Sequence, residues 1–124
     1  MSGQPYTVNF LRVRNNVDFY RTFTLKSKDE SDTVAPINLA SATLFMKWKP
    51  ALDLSATPVV ALAVGTGITK TDSANGKISV LVDSEVMKAI APGKYKYDLV
   101  MVRGGISETV MEGYLKIVQG ATDL

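Results

Sequence analysis

Histidine and cysteine are both absent from this chain, which limits the chemistry its other residues could do. There is no Ser-His or Cys-His nucleophile system, no imidazole base and no zinc site of the usual kind. Carboxylates, lysines, tyrosines and hydroxyls remain. The densest group is Asp29-Glu30-Ser31-Asp32, three carboxylates in four residues. Such oxygens suit a hard cation such as calcium. A calcium loop needs a longer ligand pattern with a glycine turn, so a solvated loop is the stronger reading. Asp98 and Glu112 raise glycosidic hydrolysis, which uses two carboxyl groups at a set separation. Sequence does not place them at that separation. Asp98 has the opposite parity to Tyr97 and Leu99, which favours a solvent-facing structural role.

Arg12, Arg14, Arg21, Lys26 and Lys28 make the first quarter basic, with Phe10, Phe19, Tyr20 and Phe23 among them. Such a mixture can form a platform for single-stranded nucleic acid. The aromatics fall mostly on core parity, and a net charge of +2 leaves little for counterion release, so no nucleic-acid partner is expected. Lys47, Lys49, Lys94, Lys96 and Lys116 alternate with apolar residues, as solvent-face lysines that discourage edge-to-edge sheet pairing do. Gly65-Thr66-Gly67 lacks the strand-to-helix setting of a phosphate loop and reads as a turn. No catalytic residue, metal ligand or cofactor-binding residue emerges; the expectation is a protein that is not an enzyme and carries no cofactor.

These residues must be held by strands. Alternation marks Tyr6–Arg14, Val17–Ser27, Ala42–Lys49, Pro58–Val64, Lys77–Val82, Lys94–Arg103 and Ile106–Val118. Ala42, Leu44, Met46 and Trp48 share one face. Arg21 interrupts the apolar set of its strand, as a bulge or an edge position would allow. Lys28–Thr33 is a polar loop, and Val34–Leu39 is an extended link through Pro36. Asn75-Gly76 predicts a tight hairpin turn. Ser84–Ile90 predicts a helical turn, with Asp83 or Ser84 as its cap. Gly113 suggests a bulge.

About seven strands with one helical turn in 124 residues describe an all-β, immunoglobulin-like sandwich of antiparallel strands. Tyr95, just after the helical turn, stands where a tyrosine corner belongs, and Tyr97 takes the place of the usual cysteine. Trp48, Tyr95, Tyr97 and Leu99 are the expected structural core. A single domain spans 1–124, with 1–16 as an N-terminal strand or arm and 119–124 as a flexible tail. The N-terminus lacks the basic and apolar regions of a signal peptide. Val59–Val64 is too short to span a bilayer.

Five features then occur in order: Asp18-Phe19 with Phe23-Thr24-Leu25; Ile37-Asn38-Leu39 leading into Ala42-Thr43-Leu44-Phe45-Met46-Lys47; Asn75-Gly76-Lys77-Ile78 with Val80; Ala91-Pro92-Gly93-Lys94-Tyr95-Lys96-Tyr97-Asp98-Leu99; and Glu112-Gly113. This pattern, over about residues 17 to 118, resembles small phage and prophage virion proteins similar to the N-terminal domain of phage baseplate upper proteins. Ala40-Ser41 stands where that group usually has Thr-Gly. The resemblance implies a structural role in a tail, baseplate, neck or fibre attachment, or as capsid decoration, and no active site. It implies other virion proteins and copies of this chain as partners, a virion location after synthesis in the host cytoplasm, and no membrane.

Tyr6, Val8 and Phe10 form an apolar stripe that is either a core strand or an arm for a partner, since strand addition is a common docking mode. Phe45, outward on a polar face, is a second contact candidate. A carbohydrate- or receptor-binding module on the same fold is the alternative, because fold alone does not choose a function.

Overall fold

The computed structural model describes residues 6–28 and 34–122. Eleven strands follow in chain order: β1 (Tyr6–Thr7), β2 (Phe10–Arg14), β3 (Phe19–Thr24), β4 (Lys26–Lys28), β5 (Val34–Pro36), β6 (Thr43–Pro50), β7 (Val60–Val64), β8 (Gly67–Asp72), β9 (Lys77–Val82), β10 (Gly93–Arg103) and β11 (Ile106–Val118). A short helix, α1 (Ser84–Met87), lies between β9 and β10. Hydrogen bonds link the strands in the order β1-β11-β10-β6-β7-β8-β9-β3, with β2 also on β11 and β4 paired to β5.

This path folds into two layers. The link between β7 and β8 is only two residues long, Ala63 with Gly67 and Val64 with Ile68, and there the chain crosses between layers. One layer holds β6, β10 and β11; the other holds β8, β9 and β3. Trp48 on β6 meets Phe19 on β3 edge to face, with centroids 5.0 Å apart, so the layers face each other. Strands in the C, F, G and B, E, D positions of an immunoglobulin-like sandwich are thus in place. The tyrosine corner is present as well: the Tyr95 hydroxyl donates to the Ala91 carbonyl at 2.6 Å.

The first strands depart from the simplest version of that scheme. They join β11 in parallel rather than lying beside β3, which leaves β3 at a sheet edge. Arg21 is explained by this edge, since β3 pairs with β9 without a bulge. Its guanidinium lies 4.6 Å from the Phe19 ring centroid and 5.7 Å from that of Phe10, covering the seam with a cation–π contact.

The expected seven runs become eleven strands because two of them break and two segments outside them, Val34–Pro36 and Gly67–Asp72, also pair as strands. Tyr6–Arg14 breaks at Val8-Asn9, where the Val8 carbonyl turns to accept from the Tyr97 hydroxyl. Val17–Ser27 breaks at Leu25, whose N–H donates to Gly76 and whose carbonyl accepts from Ile37. The extended link at Val34–Pro36 pairs with β4 as a strand.

A smaller expectation is corrected as well. The bulge in β11 falls at Val110, not Gly113: Val100 pairs with Thr109 and Leu99 with Met111, so Val110 is the extra residue. Both Val110 and Met111 are buried, as a change of parity at a bulge allows. Gly113 is required by close approach, because a Cβ there would collide with the Val8 carbonyl. The expected tight hairpin turn is present: a 3-10 turn over Ser73–Asn75, closed by left-handed Gly76, joins antiparallel β8 and β9.

Asp83 caps α1, accepting from the Glu85 N–H, while Asp18 accepts from the Ser84 N–H. The helix ends at Met87, short of the expected Ile90, though turn hydrogen bonds continue to Ile90. Residues 119–122 are tied to the Asn15-Asn16 turn: the Gly120 N–H donates to Asn15, and the Asn16 amide donates to the Thr122 carbonyl.

One core cluster runs through both layers, and Trp48, Tyr97, Leu99, Leu44 and Ile78 are buried within it. Fully burying such side chains contributes roughly 1.5–3 kcal/mol each before entropy is counted.

Candidate interaction surface

Because Trp48 points to β3, its neighbours Lys47 and Lys49 point away from the opposite layer. Pairing register sets their companions on this outer face. Lys49 stands opposite Lys96, and Lys47 opposite Asp98. On the other side of β10, Lys94 stands opposite Lys116, Lys96 opposite Tyr114, and Asp98 opposite Glu112. Five lysines therefore share one sheet face with two carboxylates.

The lysines do not protect an edge, as sequence alternation suggests. β6 and β10 each have a neighbour on both sides, so their backbone groups are already paired. Like charges directly opposite each other cost stability, of order 0.2–1 kcal/mol per pair, and two such pairs, Lys49 with Lys96 and Lys94 with Lys116, are neighbours here. Tyr114 offsets part of that cost. The Lys94 ammonium lies 4.4 Å and the Lys96 ammonium 5.7 Å from its ring centroid, contacts worth about 0.5–1 kcal/mol at an exposed site. Among the described residues, the one ion pair is Lys88 with Glu85 on α1, away from this face. Lys49 instead donates to the Leu54 carbonyl at 3.0 Å. A shallow recess lined by Lys47, Lys49, Leu54, Lys96 and Asp98 lies here. Leu52, fully exposed, is in the same β6–β7 loop as Leu54.

The structure brings Asp98 and Glu112 together as direct cross-strand neighbours. They stand on an open sheet face, with Asp98 exposed, where water competes for any substrate contact. Glu112 also acts on Tyr97: burial foremost, and then this carboxylate, push the Tyr97 phenol well above its ordinary pKa.

The N-terminal stripe is used inside the domain. Val8 and Phe10 pack against the core, and the Phe10 ring meets Phe19, Phe23 and Tyr97 with centroids 5.3, 6.3 and 5.7 Å away. Of the two readings, these two residues take the core one. Tyr6 pairs its backbone with Met111; its side chain lies outside the described residues. Phe45 projects from the outer face of β6, 42% exposed. Among Phe10, Phe19, Tyr20 and Phe23, only Tyr20 is open to solvent. The acidic stretch 29–32 lies outside the described residues.

Sequence reasoning placed the lysines on a solvent face but missed that three strands gather them into one patch. It missed Asp18 as a second cap for α1, because that contact joins residues 66 positions apart.

Fold and face together define an immunoglobulin-like sandwich that presents a cationic sheet surface. No protein-family model matches the chain, and no curated protein matches it in sequence. Among solved structures it is similar to the N-terminal domain of phage TP901-1 ORF48, at 11% identity and a TM-score of 0.48, over 94% of this chain and 98% of that one. It is also similar to part of a family 123 glycoside hydrolase from Clostridium perfringens studied for glycolipid glycan hydrolysis, at 11% identity and a TM-score of 0.34. That match spans 94% of this chain but 23% of the hydrolase. At this identity neither likeness carries a residue's role to this chain.

Proposed function

We propose that this chain is a non-enzymatic structural protein of a bacteriophage virion, part of a tail, baseplate, neck, fibre attachment or head decoration. It works by docking to other virion proteins and to copies of itself in a symmetric assembly. The observation that carries this reading is where the phage-like residues fall. Phe19, Leu25, Leu39, Leu44, Met46, Ile78, Val80, Tyr95, Tyr97 and Leu99 are all core residues. Asp18 caps α1, and Gly76 and Gly113 sit where a Cβ would strike backbone. The resemblance thus lies in the scaffold of the sandwich, leaving the outer faces free to vary with the partner.

Mass spectrometry of particles purified from an induced lysogen or infected culture tests this. The expected result is the intact chain at a copy number that is a multiple of the particle's symmetry. Its absence from particles that contain the other structural proteins overturns the proposal.

A further inference from the structure

The outer face of β6, β10 and β11 holds a concentrated positive charge on central strands, where edge protection does not account for it. Its five lysines against Asp98 and Glu112 leave an excess of three positive charges. An acidic stretch of matching size exists in the same chain: Asp29, Glu30 and Asp32 carry three negative charges, and they fall between β4 and β5.

The strands that flank the stretch stand away from the chain's own lysine face. β4 follows directly from β3, in the layer opposite β6, β10 and β11, and the lysines point away from that layer. β4 and β5 also sit at the opposite end of the sandwich from the lysines. Ser27 of β4 and Ile37, just after β5, line a groove with Met101, Arg103 and Ile106, at the end of β10 where it turns into β11. Lys94 and Lys96 lie at the start of β10. Arg103 lies nine positions beyond Lys94, about 30 Å of extended strand.

We infer that the lysine face receives the acidic 29–32 stretch of a second copy, giving head-to-tail association. Such a contact is heterologous: each copy offers one face and uses the other. It closes into a ring when the rotation allows and otherwise runs on as a filament. Tyr114 holds the Lys94 and Lys96 ammonium groups over its ring in a defined place, and Leu54 supplies apolar surface beside Lys49 and Lys96. The inference deepens the assembly reading above and rests on it for the biological setting, but its test is independent of the particle.

The test is light scattering coupled to size exclusion over a concentration series. The wild-type chain is expected to associate as concentration rises at about 0.05 M salt and to dissociate at about 0.5 M, where the screening length falls well below 10 Å. A face variant, Lys94→Glu with Lys96→Glu, and a stretch variant, Asp29→Lys with Glu30→Lys and Asp32→Lys, are each expected to lose association on their own. An equimolar mixture of the two is expected to restore association, because the intact acidic stretch of the face variant meets the intact lysine face of the stretch variant. Circular dichroism and thermal melting of each variant confirm folding, and pairing in the mixture itself requires both to be folded. A wild-type chain that stays monomeric throughout overturns the inference, as does association that survives the face variant. A chain found in virions yet monomeric overturns this inference alone. One that assembles as described but is absent from virions overturns the virion reading alone.

Discussion

The Tyr97 hydroxyl donates a 2.6 Å hydrogen bond to the main-chain carbonyl of Val8, 89 residues away. Tyr97 is buried on β10, and its bond passes beyond β11 to fasten the N-terminal segment. Tyr95, two residues earlier, spends its hydroxyl locally on Ala91. The two tyrosines thus divide the work: one pins the turn before β10, and the other closes the sheet's N-terminal edge.

Tyr97→Phe keeps the ring but leaves that half-buried carbonyl short of a donor. Such an unmet partner costs about 1–3 kcal/mol. The expected result is a lower urea midpoint and faster amide exchange in residues 6–14, with exchange in β9 following the global change only. A variant as stable as wild type overturns the assignment.

The same residue makes a pH prediction. Burial, reinforced by Glu112, raises the Tyr97 phenol above the ordinary value of 10.0. The folded chain therefore keeps a proton at pH values where the unfolded chain has released it. Stability from this group is fully present below about pH 10 and is lost as pH rises through the folded value, at about 1.4 kcal/mol per pH unit. The advantage of wild type over Tyr97→Phe should narrow by roughly 1 kcal/mol between about pH 9 and about pH 11. Urea titrations of both proteins read this directly, and an advantage that stays constant counts against it.

Gly113→Ala places a methyl group against the Val8 carbonyl. Relief requires backbone movement, and overpacking of this kind costs about 1–3 kcal/mol. Gly104→Ala is the control. Gly104 has φ +60 and nothing within 4 Å of an added Cβ, so its cost is the left-handed strain alone, about 1 kcal/mol. Thermal melting should rank Gly113→Ala as the more harmful; the reverse order would mean that the N-terminal segment yields without loss.

Asp18→Ala removes the acceptor for the Ser84 N–H at 2.7 Å. Loss of a capping contact costs about 1 kcal/mol. Asp18→Asn retains an acceptor oxygen and should recover most of the loss in denaturant unfolding. Equal destabilisation by the two substitutions would argue against the cap.

Much of this fold was legible because strand alternation is local. Whether Trp48, Tyr97 or Leu99 faces inward follows from a period of two, which needs no knowledge of the partner strand. The helical turn and the absence of imidazole and thiol chemistry were equally readable, since they depend on residue types and near neighbours. The Tyr95 corner was readable too, because its hydrogen bond spans four residues.

What lay beyond the sequence was register and layer choice, and those depend on distant pairings. Alternation alone allowed the Val8–Phe10 stripe to be an arm or a core strand; pairing with β11, made possible by the missing side chain of Gly113, put it in the core. Lys47, Lys49, Lys94, Lys96 and Lys116 read as separate solvent-face lysines. Only the pairing of β6 with β10 and of β10 with β11 gathered them around Tyr114, and only the two-layer fold placed that face opposite the layer from which β4 extends. Residue types determined what each side chain could do, while long-range hydrogen bonding decided which of them would act together.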